Sequence, residues 1–113
     1  MQDWNAYRDA LINRVGNFAK LSPDVLRSLN TIEGSGSKTG KLEPKMHEII
    51  ALAVAVTTRC DGCIAVHAKT AIELGATEGE IAEALGVAIA LNAGAALTYS
   101  ARVLDAITSL PER

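Results

Sequence analysis

The sequence predicts an all-α fold, and three observations support this prediction. Apolar residues make up 49% of the 113 residues, whereas aromatic residues make up only 4% and 19 residues are alanine. A core of such small side chains suits closely approaching helices better than it suits a β-sandwich. Apolar residues also recur at spacings of three and four, and no segment alternates as a half-buried strand does. The length corresponds to about one domain, residues 1–113.

Two helices are predicted in the N-terminal part, residues 1–33. The first runs from Asp3 to about Lys20 and carries an apolar stripe formed by Trp4, Tyr7, Leu11, Val15 and Phe18. Ser22 is a favourable N-cap, and Pro23 suits the first position of a second helix. That helix is expected to stop at Gly34, because the Gly- and Ser-rich residues 34–41 indicate a flexible loop.

Four more helices are predicted in the core, residues 42–109. Pro44 opens the third helix, which is apolar almost all round and is therefore expected to be central. The fourth begins at Cys60 and ends near Gly75, a typical C-cap. A capping box, Thr77-Glu78-Gly79-Glu80, starts the fifth helix.

A break is expected at Asn92-Ala93-Gly94, between the fifth helix and a sixth that carries Leu97, Ala101, Leu104 and Ile107. The prediction is therefore a single-lobed bundle of about six helices. Because a domain this small leaves apolar surface near its outside, part of that surface is expected to be buried in an oligomer.

Charge and hydropathy exclude several classes of partner. The net charge is −2 at pH 7, so there is no basic field to attract nucleic acid. The N-terminus lacks a basic start followed by an apolar stretch, so it is not a signal peptide. The longest uninterrupted apolar runs, residues 49–56 and 87–91, are far shorter than a bilayer span. A cytoplasmic protein without a membrane partner is expected.

The segment that indicates chemistry is Cys60-Asp61-Gly62-Cys63-Ile64-Ala65-Val66-His67. On a helix, Cys60, Cys63 and His67 fall within roughly 60° of one another, so two thiols and an imidazole share one face. A helix N-terminus stabilises thiolate through its free N–H groups and its dipole, although the carboxylate of Asp61 opposes ionisation. In a chain without a secretion signal, such a pair is more often catalytic or metal-binding than structural.

Glu48 is the candidate partner of His67. It lies twelve residues before Cys60, on the preceding helix. If the chain reverses near Arg59, Glu48 lies about 16 Å back along one helix and His67 about 12 Å along the next. Antiparallel packing would bring the two side chains together. A carboxylate that orients an imidazole, which in turn takes a thiol proton, is the general form of an activated cysteine.

Two other interpretations of the cysteines stay open. Free cysteines are often small buried residues without a chemical role. Zinc could also be bound by Cys60, Cys63 and His67, with His47 or Glu48 as a fourth group, although structural zinc sites usually draw ligands from knuckles and loops. Elsewhere, Tyr99 and Arg102 on the last helix could line a pocket, but helix packing explains them equally well.

The spacing Glu48, eleven residues, Cys60-x-x-Cys63, three residues, His67 resembles the motif of the AhpD-like alkylhydroperoxidases, in the carboxymuconolactone decarboxylase superfamily. The resemblance extends over about residues 42–106. It implies an all-helical fold that assembles as a homotrimer or homohexamer. This sequence departs from the motif at Gly62, where the best-known members carry a histidine.

The resemblance also implies roles for the individual residues. Cys63 is expected to be the thiolate that attacks a hydroperoxide, and Cys60 its resolving partner in a Cys60–Cys63 disulfide. Glu48 and His67 are expected to form the proton relay that deprotonates Cys63. The reductant implied is a thiol donor, such as a lipoyl-bearing or thioredoxin-like protein, and no cofactor or metal is required.

The function expected from the residues and the resemblance is therefore that of a thiol-dependent peroxidase that reduces alkyl hydroperoxides. Two alternatives remain. One is a redox-sensing or binding oligomer, in which the disulfide switches an interaction without efficient turnover. The other is an enzyme like the carboxymuconolactone decarboxylases, whose branch lacks the cysteine pair.

Overall fold

The fold is all-α, as the sequence predicts. The structure, a computed structural model, describes residues 1–112. Within these residues the chain forms five helices and no strand, namely α1 (Trp4–Leu21), α2 (Pro23–Ser37), α3 (Pro44–Thr58), α4 (Asp61–Glu73) and α5 (Glu78–Thr108).

The helices α3 and α4 form an antiparallel hairpin with a very short connection. Pro44 occupies the first turn of α3, where its missing N–H leaves no hydrogen bond unmade. Arg59 ends the helix in the left-handed conformation, with φ of 57°. The N–H of Cys60 then donates to the carbonyl of Ala55 at 3.0 Å, which closes the helix end. Cys60 is thereby the N-cap of α4.

The buried core lies where α3, α4 and the first part of α5 meet. Its central cluster consists of Ile49, Leu52, Ala71 and Ala76, with Met46, Ala68, Ile81, Ala84 and Leu85 packed against it. Ala55 and Ala65 are almost completely buried as well. Because alanine projects only a methyl group, these helices approach closely, as the composition predicts.

The turn between α4 and α5 follows the predicted caps. Gly75 takes a φ of 93°, which a residue without a β-carbon adopts at little cost. Thr77 accepts from the N–H of Glu80, and the Glu80 carboxylate accepts from the N–H of Thr77, so the predicted capping box is present. Lys45 at the start of α3 bonds the same Glu80 at 3.0 Å.

The predicted break at residues 92–94 is wrong, because α5 continues through it as one helix of 31 residues. Asn92 does not cap a helix end. Its amide donates to the carbonyl of Ala88, one turn earlier, at 2.7 Å and to the hydroxyl of Thr57 on α3 at 2.9 Å. An isolated glycine such as Gly94 costs about 1 kcal/mol in a helix, too little to interrupt an Ala- and Leu-rich sequence.

The second helix is also longer than predicted. It continues past Gly34 to Ser37, so half of the segment assigned to a flexible loop is helical. The serine hydroxyls return to the helix backbone, since Ser35 donates to the carbonyl of Thr31 and Ser37 to that of Gly34. These bonds let the Gly–Ser sequence follow the helix instead of leaving it.

Much apolar surface lies outside the core. The helices α1 and α2 contain no buried residue, and every described residue from Ile89 onward is exposed. The radius of gyration is 18.9 Å, against about 13 Å for a compact domain of this length. Length and composition alone would allow α5 to cross a membrane, but this is weak evidence because core helices meet the same criterion.

Candidate active site

The two cysteines lie at the N-terminus of α4, where the sequence predicted them. They form a disulfide, with Cα atoms 5.3 Å apart. The sulfur of Cys60 also accepts a hydrogen bond from the backbone N–H of Cys63 at 3.1 Å, so this sulfur serves as the side-chain cap of the helix. Both residues are half-buried and therefore accessible from solvent. When the pair is reduced, a backbone N–H donor at the helix N-terminus favours a negatively charged sulfur.

The structure brings Glu48 and His67 together across the α3–α4 hairpin. The imidazole Nδ1 lies 2.5 Å from Oε2 of Glu48. The two side chains are 33% and 18% exposed for His67 and Glu48 respectively, so the pair is largely shielded from water. An ionised carboxylate only accepts hydrogen bonds, so in this pair Nδ1–H donates to Glu48.

The hydrogen bond to Glu48 leaves the second ring nitrogen of His67, Nε2, available for proton transfer. His67 follows Cys63 by four residues, which places the imidazole one turn along the same face of α4. A carboxylate that fixes the tautomer and orientation of an imidazole makes it an effective proton acceptor. The four predicted site residues are therefore divided into a disulfide at the helix start and a carboxylate–imidazole pair beside it.

The first helix also belongs to this site, which the sequence analysis did not predict. A β-carbon placed on Gly62 would lie 2.8 Å from Cδ2 of Leu11, 3.9 Å from the hydroxyl oxygen of Tyr7 and 4.0 Å from the sulfur of Cys60. Side chains of α1 thus cover Gly62, the second of the two residues between the cysteines. The apolar stripe of α1 was the available signal, since it contains both Tyr7 and Leu11, but nothing in the spacing pairs that stripe with Gly62.

A polar contact fixes α1 in this position. The Nε–H of Arg8 donates to the carbonyl of Ala65 on α4 at 2.8 Å, and its Nη1 donates to Asn5 at 3.0 Å. The contact with Leu11 leaves little room for a side chain at position 62, and a histidine there would need the Leu11 side chain to shift.

The remaining candidates lie elsewhere. His47 lines surface hollows with residues near the α2–α3 connection, and none of the other site residues lines them. Tyr99 and Arg102 contact each other near the C-terminal end of α5, with the guanidinium 5.0 Å from the ring centre, in a hollow formed only by that end of the helix. In the described part of the chain, no three His, Cys, Asp or Glu side chains are grouped so as to hold a metal ion.

The main apolar groove, of about 680 Å³, is not part of the site. It lies between α3 and α5 and is lined mostly by aliphatic side chains, among them Ile50, Val54, Val87 and Leu91. Thr57 also lines it. Thr57 follows Glu48 by nine residues, or two and a half helical turns, so it lies about 180° around α3 from Glu48. The groove and the carboxylate–imidazole pair therefore lie on opposite sides of this helix.

Comparison with known proteins identifies the family and agrees with this fold. The family model described as "Carboxymuconolactone decarboxylase family" matches residues 23–106. An uncharacterized protein of Haemophilus influenzae is 45% identical over 104 residues, which cover 92% of each chain. An uncharacterized protein of Cupriavidus necator is 29% identical over 94 residues, covering 82% of this chain and 83% of that one.

Solved structures show the same architecture. A carboxymuconolactone decarboxylase family protein from Legionella pneumophila superposes with a TM-score of 0.74 at 32% identity, over 91% of this chain and 92% of that one. A protein from Methanobacterium thermoautotrophicum gives a TM-score of 0.69 at 36% identity, over 76% of this chain and 97% of the other.

These matches define the class as an all-helical protein of the carboxymuconolactone decarboxylase fold, and in this chain a Cys-x-x-Cys pair lies at the start of a core helix. The chain belongs to the carboxymuconolactone decarboxylase family. This family includes enzymes, and the resemblance inferred from Glu48, Cys60, Cys63 and His67 is confirmed at the level of the family.

Proposed function

We propose that the protein is a thiol-dependent peroxidase, a disulfide oxidoreductase that reduces alkyl hydroperoxides with electrons from a dithiol. The observation that carries this proposal is the Glu48–His67 pair, one helical turn from a Cys60–Cys63 disulfide at a helix N-terminus. A carboxylate-oriented imidazole next to two cysteines supplies the base and the nucleophile that the reaction needs.

Reduction of the hydroperoxide begins at Cys63. His67 takes the thiol proton, and the thiolate attacks the terminal oxygen of the hydroperoxide. A sulfur–oxygen bond forms, the oxygen–oxygen bond breaks, and its electron pair leaves with the alkoxide, which accepts the proton from His67 to give the alcohol. Cys63 is now a sulfenic acid, and two electrons have passed from sulfur to oxygen.

Cys60 completes the oxidation of the protein. Its thiolate attacks the sulfur of Cys63, a disulfide bond forms, and the departing hydroxide takes a proton to become water. An external dithiol then reduces the disulfide by two exchange steps and is itself oxidised to a disulfide. Because both cysteines are half-buried rather than enclosed, a dithiol on a lipoyl-bearing or thioredoxin-like protein is a suitable donor.

We also propose that the working form is a homotrimer or homohexamer in the cytoplasm. The chain exposes 8757 Å², about 2,800 Å² more than the roughly 5,900 Å² expected for a compact monomer of this mass. Obligate interfaces bury about 2,000–5,000 Å² in total, or about 1,000–2,500 Å² from each partner, so the excess corresponds to the area that two such interfaces remove from one chain. A second copy of this chain is the occupant that this area favours for the uncovered faces of α2 and α5.

The test is turnover of tert-butyl hydroperoxide by the reduced protein in the presence of excess dihydrolipoamide. Sustained consumption is expected, and Cys63→Ser should reduce it to the background rate. Cys60→Ser should react once and stop at the sulfenic acid, which a dimedone-type reagent would label. Turnover that survives Cys63→Ser would overturn the assignment of the nucleophile.

The alternatives give different results in the same experiment. A redox sensor would oxidise once and slowly, with a change in assembly and no repeated turnover. A decarboxylase would consume no peroxide and would release carbon dioxide from a carboxymuconolactone-type substrate. Its activity should also survive Cys63→Ser, because that chemistry needs no cysteine pair.

A further inference from the structure

Gly62 is the residue at which the first helix meets the cysteine pair. A β-carbon on Gly62 would lie 3.9 Å from the hydroxyl oxygen of Tyr7 and 4.0 Å from the sulfur of Cys60. The hydroxyl oxygen and the sulfur are therefore no further apart than the sum of these two distances. The Leu11 side chain packs against Gly62 at the same place, so Tyr7 and Cys60 meet at the contact between α1 and α4.

The Tyr7 hydroxyl is free to serve as a donor there. It makes no hydrogen bond to any residue between 1 and 112, although Tyr7 is half-buried. The bond from Arg8 to the carbonyl of Ala65 holds α1 against α4, and the neighbouring Tyr7 is held with it. No buried side-chain oxygen among residues 1–112 lacks a partner, so this hydroxyl keeps contact with water in the disulfide form and can exchange that water for a new acceptor.

The sulfur of Cys60 is the group that needs a donor when the disulfide opens. In the disulfide it already accepts the backbone N–H of Cys63 at 3.1 Å. Reduction converts it to a thiol or thiolate that can turn about its Cα–Cβ bond, and a thiolate accepts stronger hydrogen bonds than a disulfide sulfur does. We propose that the Tyr7 hydroxyl then donates to Cys60, as the second donor that stabilises its thiolate.

With this hydrogen bond, the two sulfurs react differently when a donor dithiol reduces the disulfide. A thiolate of the donor attacks Cys63, a new disulfide forms between donor and Cys63, and the old bond breaks. The electron pair leaves on Cys60, where the N–H of Cys63 and the hydroxyl of Tyr7 stabilise it as the better leaving group. The second thiol of the donor then attacks the donor's own sulfur, and Cys63 is released and protonated.

Several other ionisable groups lie around Cys60, and any change in its ionisation has to be measured against them. They are Arg59 and Asp61 beside it in sequence, Cys63 and the His67–Glu48 pair on the shared face, and Arg8 on α1, which is bonded to Ala65 and Asn5. A Tyr7→Phe substitution changes none of these groups and keeps the aromatic ring. It removes only the hydroxyl, so it isolates the proposed bond.

The experiment is a pH titration of thiolate absorbance in the fully reduced protein, with Tyr7→Phe compared with wild type. Tyr99→Phe is the matched control, because this tyrosine lies near the far end of α5 and contacts Arg102. Loss of a charge-assisted donor is expected to raise the pH midpoint of the Cys60 thiol by about 0.5–1 unit, measured with Cys63→Ser in both proteins so that only Cys60 titrates. The Tyr99→Phe midpoint should equal that of wild type.

A second readout is the equilibrium between disulfide and dithiol in a dithiothreitol redox buffer. Tyr7→Phe should shift it several-fold toward the disulfide, since the reduced form loses a stabilising bond. An unchanged midpoint and an unchanged redox equilibrium in Tyr7→Phe would overturn the inference. It rests on the proposed redox role of the pair, but neither readout requires peroxide turnover, so failure of the peroxidase proposal would be seen separately.

Discussion

Glu48 and His67 are the residues on which the proposed proton relay depends, and their contact was predictable from the sequence. The spacing of twelve residues before Cys60 and seven after it places them at comparable depths on two antiparallel helices. The observed 2.5 Å contact between them agrees with that estimate. By contrast, the approach of Tyr7 and Leu11 to Gly62 depends on how α1 docks, and no spacing in the sequence encodes a contact fifty residues apart.

Removing the charge of Glu48 tests the relay. Glu48→Gln keeps the shape of the side chain but replaces one carboxylate oxygen with an NH2 group, so the Nδ1–H of the imidazole loses its ionised acceptor. We expect the kcat/KM for hydroperoxide to fall about 100-fold, the lower end of what a general base contributes.

The matched control is Glu73→Gln, which breaks the exposed ion pair with Lys69 on the same helix α4. This variant should keep the rate of wild type. Equal losses in the two variants would show that the loss of one negative charge, rather than the loss of the bond to His67, reduces activity.

Arg59 carries a local cost at the turn that positions the cysteines. Its φ of 57° lies in the left-handed region, which costs roughly 1–2 kcal/mol for a residue with a β-carbon. Arg59→Gly removes this cost but gives the unfolded chain more freedom, worth about 0.4–1 kcal/mol. A net gain of about 0.5 kcal/mol in the free energy of unfolding is expected by urea denaturation. A clear loss would mean that the arginine side chain makes a stabilising contact in the assembly.

Helix caps were the most predictable features at the level of elements. Pro44, Gly75 and the capping box at Thr77 act through neighbours in sequence, so their local chemistry determines the outcome. The predicted break at Asn92 failed because its amide finds a partner on another helix, Thr57 of α3. A residue that caps a helix in isolation is satisfied here by tertiary structure, which sequence patterns do not describe.

The capping box and the Lys45 ion pair join the starts of α3 and α5. They make the stability of the fold depend on pH. The N–H of Thr77 and then Lys45 hold the pKa of Glu80 below its usual range. A carboxyl whose pKa is lower in the folded state stabilises the fold above its unfolded pKa, and this contribution is lost as pH falls through the folded value. Glu80→Gln should therefore flatten the acid side of the stability curve below about pH 5.

Lys45 affects stability in the opposite pH direction, because its hydrogen bond to Glu80 raises its pKa. Its contribution is present below the usual lysine range and is lost as pH rises through the raised pKa. Thermal unfolding of wild type and Glu80→Gln between pH 3 and pH 7 measures the acid effect. Glu78→Gln, in the first turn of the same helix, is the control and should leave the Lys45 contribution intact. A Glu80→Gln curve parallel to that of wild type would contradict the account.

At the scale of the whole molecule, we expect the exposed half of α5 to be covered by a second copy of the chain in solution. Leu97 is 75% exposed on this helix, among many other large apolar side chains. Leu97→Asp should dissociate the proposed trimer or hexamer, because a carboxylate buried in an interface without a partner is costly. Light scattering of the purified proteins measures the change, and Lys69→Asp, at an exposed position of α4, should leave the assembly intact. A wild-type protein that is monomeric at micromolar concentration would contradict the assembly.

Local sequence patterns predicted the family and the all-helical class. They did not predict how much apolar surface the fold leaves exposed. Composition predicted small side chains and some association, but the exposed stretch from Ile89 onward appears only when α5 is seen as one helix. Detergent-free purification distinguishes a protein partner from lipid for this surface. A chain that needs detergent to stay in solution would indicate that lipid covers α5.

The central claim is that Cys60 and Cys63 act as a two-electron pair toward a hydroperoxide. It is tested most directly by mixing fully reduced protein with one molar equivalent of tert-butyl hydroperoxide and no donor, then counting thiols and alcohol. The account predicts one tert-butanol formed and two thiols lost per chain, with a Cys60–Cys63 disulfide found by mass spectrometry. Peroxide that remains while both thiols stay titratable would contradict it.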